Sequence, residues 1–120
     1  MELIKITLDY LHGPIWCCDE DGVAYIEHFD LVKNDEICQK LDKKAENMYS
    51  SYYEFDSHDL PCWFNYEQQF KDRFIMRDLL QKIVDRLNEI NDGSYVVKPF
   101  ALDEYNELCL KENFEDLNNK

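Results

Sequence analysis

A chain of 120 residues, 45% hydrophobic and 14% aromatic, has the length and apolar content of one packed domain, which excludes wholesale disorder. Its 26 acidic residues against 13 basic ones give a formal net charge of -13. That field repels nucleic acid, whose binding needs cations to displace condensed counterions, and anionic membrane surfaces; it attracts basic proteins and speeds their encounter.

Acidity also serves solubility, so its distribution matters. Residues 19–36 hold Asp19, Glu20, Asp21, Glu27, Asp30, Asp35 and Glu36 against Lys33 alone. Residues 54–59 hold Glu54, Asp56 and Asp59 with no Lys or Arg, and 103–116 hold six carboxylates against Lys111. The stretch 66–91 is balanced. This pattern predicts acidic faces more than a uniform coat.

In chain order, Ile4, Ile6, Leu8 and Tyr10 alternate with Lys5, Thr7 and Asp9, which predicts a half-buried strand over 3–10, broken by His12-Gly13-Pro14. Ile15–Cys18 and Val23–Ile26, either side of Asp19-Glu20-Asp21-Gly22, read as a hairpin whose second arm extends with a bulge through Phe29, Leu31 and Val32. Asn34 is the expected cap of a helix carrying Ile37, Leu41, Ala45, Met48 and Tyr52 as its apolar stripe. Residues 54–65, with Pro61 and several short polar side chains, read as a loop rich in aromatics.

Residues 66–91 carry the clearest helical pattern, Phe70, Phe74, Met76, Leu79, Leu80, Ile83, Leu87 and Ile90, with Asn65 as cap and Gly93 as terminator. Residues 94–98 read as a strand stopped by Pro99. Residues 103–116 read as a short helix capped by Asp103, and the last four residues are expected to fray. The sum is a single α+β domain over 1–120, a small antiparallel sheet made of an N-terminal hairpin plus a late strand, packed by two long helices.

The search for chemistry is mostly negative. Cys17, Cys18, Cys38, Cys62 and Cys109 form an odd set without a Cys-x-x-Cys pair. Adjacent Cys17 and Cys18 in a strand point to opposite faces and chelate poorly, so Cys17, Cys18, His58 and Cys62 make a weak zinc set and no metal is expected. The start Met1-Glu2-Leu3-Ile4-Lys5 lacks a signal-peptide pattern and no run is long enough for a membrane span, so free thiols in a reducing cytoplasm are expected. Asp19-Glu20-Asp21 lacks the rest of a calcium loop, and the three glycines are scattered, so no cofactor or nucleotide site is expected. A small hydrolase centred on His58 and Cys62 is the enzymatic alternative.

What remains is an interaction surface. Tyr49, Tyr52, Tyr53, Phe55, Trp63, Phe64 and Tyr66 surround the acidic segment 54–59, and rings beside carboxylates suit a partner rich in Lys and Arg. About half of these rings should be core. The candidate partner-binding residues are Asp19, Glu20, Asp21, Asp30, Asp35, Tyr53, Glu54, Asp56, Asp59 and Trp63.

Gly13-Pro14-Ile15-Trp16 after an opening strand, Phe29-Asp30-Leu31-Val32-Lys33-Asn34-Asp35 entering a helix, and Ser51-Tyr52-Tyr53-Glu54-Phe55-Asp56, together with the small acidic format, span residues 1–66. In these the chain resembles the immunity proteins of bacterial polymorphic toxin systems, of contact-dependent growth inhibition or neisserial Maf type. The resemblance implies a cytosolic protein that binds a cognate basic toxin domain, many of which are nucleases, and blocks its active site or its access to substrate. It carries over no catalytic residue. A phage-type acidic inhibitor or nucleic-acid mimic aimed at a host enzyme has the same charge logic.

Overall fold

The computed structural model of the chain describes residues 1–114. A three-stranded sheet and the helices share one core, and a separate two-stranded sheet lies outside it. A three-stranded sheet is built from β1 (Glu2–Ile6), β2 (Ile15–Cys18) and β5 (Tyr95–Lys98) in the order β2-β1-β5. β1 and β2 are antiparallel, with Ile4 opposite Cys17 and Ile6 opposite Ile15. β5 runs parallel to β1, with Ile4 opposite Val97. The sheet is therefore mixed and not antiparallel as expected. A parallel neighbour needs a long crossover, and everything between β2 and β5 supplies it.

β1 and β2 form the N-terminal antiparallel pair, and of the hairpin expected at 15–26 the first arm and the turn are present while the second arm is reduced to a bridge. The chain leaves the sheet after Ile6, and residues 7–14 form the connection, closed by Thr7 N–H donating to the Pro14 carbonyl at 3.0 Å. Beyond β2 the Cys18–Ala24 bridge and hydrogen bonds from Asp19 N–H to the Val23 carbonyl (2.9 Å) and from Tyr25 N–H to the Cys17 carbonyl (2.8 Å) continue the pairing around the Asp19–Gly22 turn, without a second strand. Phe29, Leu31 and Val32 do not extend it; Asp30–Lys33 form a single helical turn, α1.

Helix α2 spans Glu36–Ser50 and is capped by Asp35, one residue after the expected Asn34: its Oδ2 accepts from Cys38 N–H at 2.8 Å. The buried stripe is rotated with it. Cys38, Asp42 and Ala45 face inward, while Ile37 is exposed.

The segment 66–91 is two helices, α3 (Tyr66–Lys71) and α4 (Arg73–Glu89), which meet at Asp72. Asn65 caps α3 as expected, accepting from Gln68 N–H at 3.0 Å. The break has a geometric cause. Phe70 lies six residues before Met76, so a straight helix would place the two about 120° apart around its axis at roughly 100° per residue. A bend at Asp72 lets both be buried. Phe74 falls outside the stripe, exposed, with the Arg73 guanidinium 4.5 Å from its ring centroid. Helix α5 runs Phe100–Cys109, starting directly after Pro99, so Asp103 lies in its first turn instead of capping it. The rest of the helix expected over 103–116 is absent from residues 110–114, and the expected fraying at the C-terminus lies outside the described residues.

Helix α4 is the centre of the core. Met76, Leu79, Leu80, Ile83, Val84 and Leu87 pack with Ile4 and Ile6 of β1, Ile15 and Cys17 of β2, Ala45 of α2, and Ala101, Leu102 and Tyr105 of α5. Full burial of a side chain of this size stabilises by about 1.5–3 kcal/mol. The Tyr95 hydroxyl donates to the Leu87 carbonyl at the end of α4, and Arg86 forks onto Asp35 at 2.6 and 3.1 Å, tying α4 to the start of α2. No helix among the described residues is long and apolar enough to cross a membrane.

Candidate partner-binding surface

Residues 54–65, expected to be a loop, form most of a second β-structure. β3 (Tyr53–Ser57) and β4 (Leu60–Phe64) pair antiparallel, with Tyr53 opposite Phe64, Glu54 opposite Trp63, Phe55 opposite Cys62 and Ser57 opposite Leu60. His58 and Asp59 form the two-residue turn, with φ of 55° and 58°. This left-handed pair is the signature of a type I′ hairpin, which Asn-Gly usually announces. His and Asp are among the non-glycine residues that best tolerate such φ values. Asp56 adopts φ 56° as well, which interrupts the pleat. Pro61 is admissible because both strands are edges of a two-stranded sheet.

A two-stranded ribbon is marginal by itself. Its base is anchored by rings. Phe64 meets Tyr49, Tyr52, Tyr53 and Tyr66 with centroids 4.7–5.8 Å apart. Tyr52 is fully buried, and its hydroxyl donates to Asp72 Oδ2 at 2.9 Å, pinning the entry of the hairpin to the α3–α4 joint. Burial holds the Tyr52 phenol well above its usual range. Asn65 Nδ2 donates to Glu54 Oε2 at 3.2 Å, fixing one carboxylate at the base. Toward the tip, the His58 ring stacks on Trp63 at 3.7 Å. Phe55, Leu60, Pro61 and Cys62 are exposed, as are the carboxylates of Asp56 and Asp59. Tyr53, Glu54 and Trp63 are half-buried.

Tyr10, expected on the apolar face of a strand over 3–10, lies instead beyond the end of β1 in the β1–β2 connection, half-exposed and against this surface, with exposed Leu11 next to it in the chain. The Tyr10 ring lies 4.8 Å from Tyr53 and 5.6 Å from Phe55. A signal was present in the charge pattern: neither residues 6–32 nor residues 45–70 contain a single Lys or Arg. The contact of Tyr10 with Tyr53 and Phe55 joins these two cation-free stretches.

The other candidate residues attach elsewhere on the core and divide by role. Asp19 Oδ1 accepts from the Asp21 and Val23 N–H groups, both at 2.9 Å, so it organises its own turn. Glu20 pairs with the Met1 ammonium at 2.7 Å, which lowers its carboxyl pKa. Asp35 is occupied by Cys38 N–H and by Arg86, whose guanidinium holds its carboxyl well below the usual range. Its visible task is to join α2 to α4. Asp21 and Asp30 face solvent, near exposed Val23, Tyr25 and Ile26. Asp30 and Leu31 line two shallow depressions, one with Ile90 and one with Glu2 and Tyr25.

Strand alternation separates the pair on which a hydrolase would depend. Trp63, with the His58 imidazole stacked on it, and its neighbour Cys62 lie on opposite faces of β4. His58 Nδ1 lies 3.0 Å from the Ser57 hydroxyl. No group of three His, Cys, Asp or Glu residues among those described is placed to hold a metal ion. All five cysteines are unpaired; Cys17, Cys18 and Cys38 are buried, Cys62 is exposed and Cys109 is half-buried. Burial pushes the Cys17 thiol up to about 11 and, with Asp35 beside it, the Cys38 thiol up to about 12. An aromatic disulfide reagent at neutral pH is therefore expected to react rapidly with one thiol, mapped to Cys62 by peptide mass spectrometry, and with all five after denaturation. Rapid labelling of Cys17 or Cys38 in the native protein would contradict the packing described.

Compared with known proteins, the chain matches no family model and no curated protein.

Proposed function

We propose that this chain is an immunity-type inhibitor that binds a basic toxin domain, of nuclease type, and neutralises it by occupying the positively charged surface the toxin uses for its substrate. The observation that carries this reading is the hairpin Tyr53–Phe64. It presents Asp56 and Asp59 beside exposed Phe55 and Leu60, within a stretch, 45–70, that contains no Lys or Arg. Carboxylates at the rim set the association rate, and rings at the centre set the lifetime of a complex. Three left-handed non-glycine residues, Asp56, His58 and Asp59, lie within four positions of the chain. His58 and Asp59 take these angles as the hairpin turn, whereas Asp56 takes one within β3, and left-handed backbone of that kind costs about 1–3 kcal/mol and concentrates at functional sites. Asp21 and Asp30 extend the negative field on a separate part of the surface.

The test is a binding and protection assay with the cognate toxin domain across a salt series. Asp56→Lys with Asp59→Lys should slow association by about tenfold or more at low salt and weaken protection of cells. The same charge change made with Asp85→Lys and Glu104→Lys, both exposed on helices, should have a smaller effect. Salt should slow wild-type association, because the field reaches only about 8 Å at physiological ionic strength. Kinetics indifferent to salt, with full protection by the Asp56/Asp59 variant, would show that the contact lies elsewhere.

A further inference from the structure

The connection between β1 and β2 holds a residue whose conformation works against folding. Leu11 has φ 56°, a left-handed backbone that leucine disfavours, and its side chain is 65% exposed. Nothing in the core repays that strain, since the side chain projects away from it. Glycine or asparagine would fit the turn better. The conformation is nonetheless held firmly. The Leu11 N–H donates to Ser50 Oγ at 2.9 Å, at the end of α2. His12 stacks on Trp16 at 3.5 Å, and Trp16 Nε1 donates to the Thr7 carbonyl at 2.8 Å, closing the base of the loop. Tyr10 is lodged against Tyr53 and Phe55 of the hairpin. The Asp9–His12 turn, closed by His12 N–H donating to the Asp9 carbonyl at 3.4 Å, demands the left-handed φ at its third position. A leucine kept there in place of glycine leaves an apolar side chain in water next to Tyr10.

We propose that Leu11, Tyr10 and Phe55 form the apolar centre of a docking face for a cationic amphipathic segment of the partner, with Leu11 as its specificity-determining knob. This rests on the reading of the chain as a binder of a basic protein and adds the place and the chemistry of the contact. Charge selects the occupant. The carboxylates of this part of the chain are Asp9 in the loop and Glu54, Asp56 and Asp59 in the hairpin, and both cation-free stretches meet here. A second copy of the chain would bring two such sets of like charges together, whereas a segment with leucine-like residues on one side and Lys or Arg flanking them matches both features.

The test uses a synthetic amphipathic helix of leucine and lysine as probe, with a serine–lysine peptide of the same charge and a leucine–glutamate peptide as controls. Binding is followed by amide chemical shifts of the isotopically labelled chain. The leucine–lysine peptide should perturb residues 9–12 and 53–64, the serine–lysine peptide should bind about tenfold or more weakly, and the acidic peptide should not bind. Leu11→Gly should melt at or above the wild-type temperature, because the turn is relieved, yet lose about tenfold or more in affinity, while Leu11→Met retains binding. Equal affinity of Leu11→Gly and wild type, equal binding of the serine–lysine peptide, or a lowered melting temperature of Leu11→Gly would overturn the proposal. Shifts confined to residues 19–36 would also overturn it while leaving the basic-partner reading intact. Binding of neither cationic peptide anywhere would remove both. Self-association abolished by Leu11→Gly would reassign the face to a second copy and overturn it as well.

Discussion

Leu80→Asp is expected to abolish cooperative folding. Leu80 is fully buried on α4, the helix that contacts the sheet side of the core, α2 and α5 together. Removing a buried leucine side chain costs about 2–5 kcal/mol through lost transfer energy and the cavity left behind. A carboxyl group placed there finds no partner, and its desolvation adds several kcal/mol more. Domains of this size are stable by only about 5–15 kcal/mol, so the sum is comparable with the whole. Ile83→Asp, equally buried, should behave alike. Ile75→Asp, on the solvent side of the same helix and 56% exposed, should shift the melting temperature by no more than a few degrees. Thermal unfolding followed by circular dichroism separates these outcomes. A wild-type melting curve for Leu80→Asp, or unfolding by Ile75→Asp, would refute the assigned faces of α4.

That helix was the most legible part of the sequence, and the reason is physical. Met76, Leu79, Leu80, Ile83 and Leu87 are spaced by the helical repeat and pack on one side, so local pattern and burial coincide. β5 and the cap at Asn65 were equally local. The failures are of two kinds. Where a neighbour far along the chain decides, periodicity is silent: β5 lies parallel to β1, and the bend at Asp72 serves the burial of Phe70 and the hydroxyl of Tyr52. Where the backbone adopts unusual angles without glycine, turn chemistry is silent. His58-Asp59 makes the hairpin turn, and Asp56 interrupts the alternation that would have marked β3. The candidate surface was half visible for the same reason. Its carboxylates and rings are clustered in sequence, whereas Tyr10 and Leu11 reach it only through the fold. Asp35, chosen for its charge, is drawn inward by Arg86, a partner 51 positions away.

Gly13→Ala is expected to be the most damaging of the small substitutions, and it gives a structural reason for the glycine in Gly13-Pro14-Ile15-Trp16. A Cβ at position 13 would lie 2.1 Å from Asp42 Oδ2 and 2.3 Å from its Cγ. Asp42 cannot simply swing away. It is buried on the inner face of α2, and its Oδ1 accepts from Ile15 N–H at 2.9 Å, at the start of β2. Moving the carboxylate leaves a buried amide without a partner, worth about 1–3 kcal/mol, and forcing the methyl group in costs a similar amount by overpacking. The expected destabilisation is about 2–5 kcal/mol, or roughly 10–20 °C in melting temperature for a domain of this length. The contact itself can be isolated by a double-mutant cycle. Asp42→Ala should destabilise, because Ile15 N–H is orphaned, but Gly13→Ala in that background should add little, since the obstructing carboxylate is gone. The coupling should favour the double variant by about 1–3 kcal/mol, the range for residues in direct contact. Burial also raises the carboxyl pKa of Asp42 above its ordinary 3.8, so folding disfavours the charged form relative to the unfolded chain. Its contribution is therefore largest below the unfolded pKa and declines as pH rises through the higher folded value, and in Asp42→Ala that part of the pH dependence should disappear. Strict additivity of the two substitutions in denaturant melts would show that the glycine is required by something other than Asp42.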